Sequence, residues 1–531
     1  MKSLSASPRL YLASFLVELC GMASRLFHAR FAHSKQCVPL LFVALGMTIT
    51  YAEERPNFIL LMGDDHGWSE TGYNGHPYLQ TPVLDEIAKT GLRLDRFYAA
   101  HPTCSPTRGS FLTGRHPNRY GTFTPNWSIR PEEITMAHLL GKAGYHCGHF
   151  GKWHVGPVKA DSPTSPGAMG FHEYLSHDNF YEMDPPLSRN GGPPEILEGE
   201  GSIVTIDETI KFIQSARQQE KPFLAVVWFG SPHEPYSGIP EDLALYDDLP
   251  EEYSKRTVKL TSNETGQQVN RPLRDVLRER YAEITAMDRS IGQLRDFLDE
   301  NELRENTVLW YCGDNGSPPS SGRVATPFRE EKAHVYEGGI RVPGLIEWPA
   351  KLSEPRTTDF PSVTSDMLPT LCELAGIPAT GRPLDGISIV PMLNGELEKR
   401  PQPIFFWEYQ TELVTGRAPS PKPWIDPVLQ TGTTPLVKFL DGKRTRSFTN
   451  FHHHDPTEED YGGPRVNMGN RYKLVLGADK ESEVELFDLK DDPAETKNLA
   501  NAKPEMVEAM KKELRTWQES VLHSLQGDDY H

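Results

Sequence analysis

From Asn57 onward the chain alternates between short apolar runs and amphipathic stretches. Residues 58–62, Phe-Ile-Leu-Leu-Met, have the length and β-rich character of a strand buried on both faces. Runs at 145–150, 223–229, 307–311 and 345–348 predict further buried strands. Between them, apolar positions recur every three or four residues and predict helices over 82–88, 135–142, 206–217 and 272–300. In the longest, Leu273, Val276, Leu277, Tyr281, Ile284, Met287, Ile291, Leu294 and Leu298 form one face. Strands alternating with helices predict an α/β fold with a large, doubly wound, mostly parallel sheet.

Near residue 402 the pattern changes. Short strands at 403–407, 472–476 and 485–489, then a helix over 504–524, predict a small antiparallel sheet packed with one helix. The expected organisation is a main α/β domain over 53–401 and a smaller α+β subdomain over 402–531. Residues 157–201, rich in Pro, Gly and Ser, predict a long loop.

The first 52 residues follow a different rule. Lys2, Arg9, Arg25, Arg30 and Lys35 precede an apolar run at 38–49 that is too short to span a bilayer and ends in Thr50-Tyr51-Ala52, a small-x-small cleavage pattern. The expectation is an export segment removed near Ala52, giving a periplasmic or secreted protein with no membrane span after cleavage. A retained anchor is the alternative, and the segment's length makes Met22 a second candidate start.

Composition narrows the function. With 37% hydrophobic and 24% charged residues, the chain is globular in character. Its net charge is −18; losing the export segment removes five basic residues and one acid and leaves −22. That excludes a general nucleic-acid binder and requires the cations of any anion site to be clustered locally. Cys20 and Cys37 leave with the segment. Cys104, Cys147, Cys312 and Cys372 remain, too scattered for a disulfide framework or a zinc site.

The chemically unusual residues fall just after the predicted strands, where open α/β sheets bind ligands. Asp64-Asp65-His66-Gly67 follows the first strand, Lys152-Trp153-His154 the second, Ser231-Pro232-His233 the third and Asp314-Asn315-Gly316 the fourth. The acids and the amide are hard oxygen donors that suit Ca²⁺ or Mg²⁺ over zinc or copper. In Cys104-Ser-Pro106-Thr-Arg108, Pro106 fits the first turn of a helix and leaves Cys104 at its amino end, where the dipole favours an anion. Arg108, one turn on, adds a guanidinium. Unmodified, Cys104 reads as a low-pKa thiolate.

Cys104-x-Pro-x-Arg108 followed by Thr113-Gly114 resembles the signature of the type I sulfatases, a branch of the alkaline phosphatase superfamily. Further blocks at 57–67, 151–156, 223–235, 307–316, 332–343, 384–388 and 485–488 are similar to that family's in the same order. The resemblance implies that a maturing enzyme oxidises Cys104 to formylglycine, whose hydrate attacks sulfur. It implies that Asp64, Asp65, Asp314 and Asn315, with residue 104, hold one Ca²⁺. Arg108, Lys152 and His154 would stabilise the hydrated aldehyde, while His233 and Lys332 would grip the sulfate and help protonate the leaving oxygen. A histidine with a near-neutral pKa is suited to that acid role. The implied activity is hydrolysis of sulfate esters of a carbohydrate or aryl alcohol. Alternatives are a phosphate or phosphonate monoester hydrolase on the same scaffold, or an inactive carbohydrate-binding homologue.

Three features are weaker signals. His177-Asp178-Asn179 is a candidate substrate subsite, and His452-His453-His454 reads as a surface loop. Asn126-Trp-Ser and Asn263-Glu-Thr match glycosylation acceptors, relevant only in a eukaryotic secretory pathway. Specificity is expected in the segments 157–201 and 416–467.

Overall fold

The computed structural model describes residues 55–262, 265–410, 422–436, 444–478 and 482–530. The stretch expected to be an export segment and Asn263 lie outside them, as do parts of 416–467. The main sheet has ten strands, and its centre is five parallel ones in the order Thr307–Gly313, Asn57–Gly63, Phe223–Trp228, His146–Lys152 and Glu173–His177. Gly344–Glu347 joins antiparallel beside Thr307–Gly313, followed by Leu92–Leu94 and Arg356–Thr358.

Strand alternation explains why these runs read as continuously apolar. Phe58, Leu60, Met62, Val226, Trp228, Val308 and Trp310 enter one core; Ile59, Leu61, Ala225, Val227, Leu309 and Tyr311 enter the core on the opposite face. The first core is closed by helices Cys104–Thr113, Met136–Lys142 and Met367–Leu374. The second is closed by Pro82–Thr90, Gly201–Gln218 and the long Leu273–Glu300.

The segment 157–201 departs from the expected loop. It holds three strands, Glu173–His177, Pro186–Arg189 and Pro194–Ile196, which extend the sheet at one edge. Pro and Gly mark the turns between very short edge strands, a composition that resembles a loop. The following helix starts at Gly201 because the Glu200 carboxylate accepts from the Ser202 and Ile203 N–H groups, both at 2.9 Å.

The second sheet is antiparallel, in the order Ile404–Trp407, Arg465–Met468, Tyr472–Leu476 and Val484–Asp488. Its strand Arg465–Met468 went unread in the sequence, being short with a polar Asn467 at its centre. One face packs on Tyr98, Val335, Tyr336 and Val363 of the main body; the other, through Trp407, Leu474 and Leu486, meets the terminal helix Pro504–Gln526.

Asp385 ties that helix to the turn following the Cys104 helix. Its carboxylate accepts from Arg119 Nε at 2.7 Å and Nη2 at 2.8 Å, from the His116 N–H at 2.5 Å and from Trp517 Nε1 at 2.7 Å. Burial would raise this carboxyl, but Arg119 and His116 hold it far below the usual range. Its stabilisation is therefore complete above the ordinary carboxylate pKa and is lost as pH falls through the depressed folded value. Asp385→Asn should cost about 3 kcal/mol in denaturant unfolding at pH 7. The gap from wild type should narrow as the pH is taken below about 4.

Candidate functional site

Register builds the centre. Gly63 pairs with Gly313 across two parallel strands, so the next residues, Asp64 and Asp314, leave the sheet side by side. The Asp314 N–H donates to Gly63 O at 3.1 Å and the Asp64 N–H to Ser231 O at 3.0 Å, fixing three strand ends together. Asp65 turns back in the left-handed region, φ 60°, which aspartate tolerates, and its N–H donates to Asp314 Oδ1 at 2.8 Å. Gly151, at φ 96°, cannot be replaced cheaply: a Cβ there would lie 2.0 Å from Trp228 O. It brings Lys152 to the end of its strand.

Cys104 is the first residue of its helix and is 1% exposed. Its Sγ lies 3.9 Å from Asp65 Oδ1, and donor atoms of Asp64, Asp65, Cys104 and His233 lie within 4.8 Å of one another. Cations interleave with the carboxylates. Arg108 Nη2 is 2.8 Å from Asp314 and 3.5 Å from Asp64, and stacks over Trp228 at 5.0 Å. Lys152 Nζ pairs with Asp64, and Lys332 Nζ with Asp65 at 2.5 Å. Asn315 Nδ2 donates to Asp65 Oδ1 at 2.8 Å. The Lys332 loop is anchored because its own N–H donates to Ser317 O and the Ala333 N–H to Pro102 O, both at 3.0 Å. His233 Nε2 is 3.7 Å from Asp65 Oδ2, and Nδ1 sits 2.5 Å from Glu234 O.

Nine of the ten sequence-predicted residues thus form one contact network. The tenth, His154, reaches it through Asn126: its Nε2 lies 3.0 Å from Asn126 Oδ1, and the Asn126 N–H donates to Ser105 Oγ at 3.0 Å. Asn126, which also matches a glycosylation acceptor motif, has its side-chain oxygen engaged by His154.

Burial dominates the electrostatics. It would raise the Asp64 carboxyl, but Lys152, His233, Arg108 and Lys332 together hold it well below the usual range. Asp314, buried against Asp64, is raised to about 7 despite Arg108. Lys332 is held protonated: burial works against its charge, and Asp65, Cys104, Asp64 and Asp314 outweigh it. Two expectations fail. Burial pushes the Cys104 thiol up to about 12, against Lys152 and Lys332, so the unmodified residue is no thiolate. Burial also lowers His233 to about 4, although Asp65 and Asp64 pull it upward, so it is neutral at pH 7 as it stands.

The donors suit a hard cation. Asp64 Oδ1 and Asn315 Oδ1 are buried with no hydrogen-bond partner, and Asp64 and Asp65 add carboxylate oxygens to the cluster. A divalent ion between them would also relieve the mutual repulsion of Asp64 and Asp314.

Residues beyond the predicted set hold the site in place. Arg280, on the long helix, donates to Asp65 O at 2.6 Å, to both Glu70 oxygens at 2.7 and 2.6 Å, and to Pro232 O at 2.5 Å. Glu70 also accepts from Ser317 Oγ at 2.7 Å. The signal was present: Arg280 falls between Leu277 and Ile284 on the apolar face, where an unpaired arginine has no place. Asp178 accepts from the N–H groups of Val158, Thr433 and Thr434 at 2.7–2.8 Å, so it pins the strand Thr431–Pro435. The histidine trio lies at the surface as expected: His452 and His454 are exposed and His453 is half-buried, while His452 packs on Trp424 at 4.0 Å and His454 pairs with Asp460 at 3.0 Å.

Arg280→Gln leaves Glu70 buried without its cation and should cost about 3 kcal/mol and weaken divalent-ion binding. Glu70→Gln added to it should recover part of the stability. Unfolding of the four chains of this cycle measures the coupling.

Residues 56–377 match the family model described as Sulfatase. The chain is 30% identical over 411 residues to N-acetylgalactosamine-6-sulfatase of Canis lupus familiaris, covering 70% of this chain and 72% of that one. It is 28% identical over 514 residues to arylsulfatase A of Homo sapiens, covering 89% of each. The solved structure of Ps i-CgsB with k-i-k-neocarrahexaose matches with TM-score 0.69 at 22% identity, over 89% of this chain and 94% of that one. The chain belongs to the sulfatase family, the sulfuric ester hydrolases.

Proposed function

We propose that this protein is an exported, calcium-dependent sulfatase that hydrolyses sulfate esters of saccharides through a formylglycine made from Cys104. The observation that carries the reading is the convergence of Asp64, Asp65, Cys104 and His233 atoms within 4.8 Å, interleaved with Arg108, Lys152 and Lys332. Relatives named for a carbohydrate sulfate, and a related fold bound to a carrahexaose, support a saccharide substrate.

Asp64, Asp65, Asp314 and Asn315 would hold the calcium, which supplies a Lewis acid for one sulfate oxygen. The hydrated aldehyde of residue 104 supplies the attacking hydroxyl. Arg108 and Lys152 keep positive charge beside that hydroxyl, and Asp314, paired with Arg108, is the carboxylate that would take its proton. His154 stays neutral, because burial, Lys152 and Arg108 all oppose its protonation, and it orients through Asn126.

Lys332 and His233, both beside Asp65, would face the sulfate. Charge moves onto the leaving oxygen as the S–O bond breaks, so fixed cations here bind the transition state better than the ground state. Lys332 already carries a proton it can share with the leaving oxygen. The Nδ1–H of neutral His233 donates to Glu234 O, leaving Nε2 to gain a proton only when an anion faces it.

Residues 1–52 act as the export segment, and amino-terminal sequencing of the native protein should begin near Ala52. Among the described residues no helix is long and apolar enough to cross a membrane.

Mass spectrometry of the Cys104 peptide from active enzyme should find the aldehyde; an unmodified thiol in active protein would overturn the reading. Cys104→Ala should lower kcat at least about a thousandfold and His233→Ala about a hundredfold. A chelator should abolish turnover and calcium restore it. Matched sulfate and phosphate monoesters should differ in kcat/KM in favour of sulfate, and the reverse order would make the protein a phosphomonoesterase.

A further inference from the structure

Arg446 lies in the short strand Thr445–Ser447, which pairs with Thr431–Pro435, the strand that Asp178 pins to the end of the main sheet. That sheet end is the site's own, since His177 pairs with Lys152 across neighbouring strands. Arg446 carries its guanidinium 6.0 Å from the Phe180 ring, and Phe180 stacks on His233 with ring centres 5.0 Å apart. Two residues on, Phe448 meets His154 at 6.2 Å. The strand that carries Arg446 therefore borders both histidines, His233 through Phe180 and His154 through Phe448.

Its bonding sets it apart from the other cations there. Arg108, Lys152 and Lys332 are each paired with a carboxylate. Arg446 has a buried Nε with no acceptor, and no carboxylate among the described residues pairs with it. Burial works against its charge and lowers its pKa. An arginine cannot shed its proton to escape this cost, so an anion supplied from outside is what would satisfy it. Nearby, Asn179 Oδ1 is also buried without a partner and could accept from a sugar hydroxyl.

We propose that Arg446 is a specificity-determining residue that pairs with a second anionic group, a carboxylate or a sulfate, on a saccharide whose scissile sulfate sits at residue 104. The inference rests on the sulfate-ester reading above and narrows its substrates to those carrying at least two negative charges.

Calorimetric binding to the full-length Cys104→Ser chain, loaded with calcium, tests it without turnover. Three disaccharides sharing one sulfate ester would be compared: one otherwise neutral, one with a uronate carboxylate, one with a second sulfate. At least one dianionic ligand should bind about tenfold or more tightly than the neutral one, as expected for a charge-assisted bidentate pair, and the better of the two identifies the source of the anion. Arg446→Gln should erase that preference and Arg446→Lys keep part of it, with thermal unfolding of both variants confirming an intact fold. Equal binding of all three ligands, or an Arg446→Gln loss shared equally by all three, would overturn the proposal. Failure of the modified wild-type enzyme to cleave any sulfate ester would instead sink the proposed function, while this comparison still decides the role of Arg446.

Discussion

Placing three carboxylates, Asp64, Asp65 and Asp314, out of water at the ends of two paired strands is the constraint around which the rest of the protein is arranged. Each buried charge costs several kcal/mol unless a cation faces it, on the order of the whole stability of a domain when summed. Arg108, Lys152 and Lys332 answer that need, and they come from a helix, a strand and a loop far apart in sequence. The fold thus has to be complete before the site is electrostatically tolerable. Three acids against three cations also leave the Asp314 carboxyl near 7, which marks a place where further positive charge is welcome.

The parallel sheet is what makes such a cluster buildable. Strands running the same way release their next residues on one edge, so neighbours in register deliver side chains to one spot. Gly63 opposite Gly313, and Gly151 against Trp228, let the backbones approach closely where a side chain would intrude. Behind this edge the long helix crosses one face and contributes Arg280, which binds the Asp65 carbonyl, Glu70 and Pro232 at once. A residue outside the chemistry therefore fixes the angle at which the Asp64-Asp65 turn leaves the strand.

What the sequence disclosed follows from the range of the forces involved. Strands such as 58–62 and the long helix were legible because burial on two faces or one leaves a periodic mark. The candidate residues were legible because acids, lysines and histidines at strand ends have few structural reasons to be there. Edge strands in 157–201 were not, since three- to five-residue strands rich in turn formers carry no period. Nor were the acidities. Cys104 at a helix start beside cations suggested a thiolate, yet complete burial outweighs the dipole and both lysines. The same term lowers His233. Local sequence names the charged neighbours; only the folded chain says how much water is left.

That distinction also bears on how an acidic protein handles an anionic substrate. A net charge of −18 repels such a ligand at a distance, but in physiological salt the field fades within about 8 Å. Inside the pocket the balance reverses, because water is excluded and each cation acts at short range. Cations already matched by carboxylates contribute mainly when the ligand's charge grows in the transition state. An unmatched one such as Arg446 acts on the ground state as well. The two kinds of cation then divide the work: the paired set favours the reaction, and the unpaired arginine selects what enters.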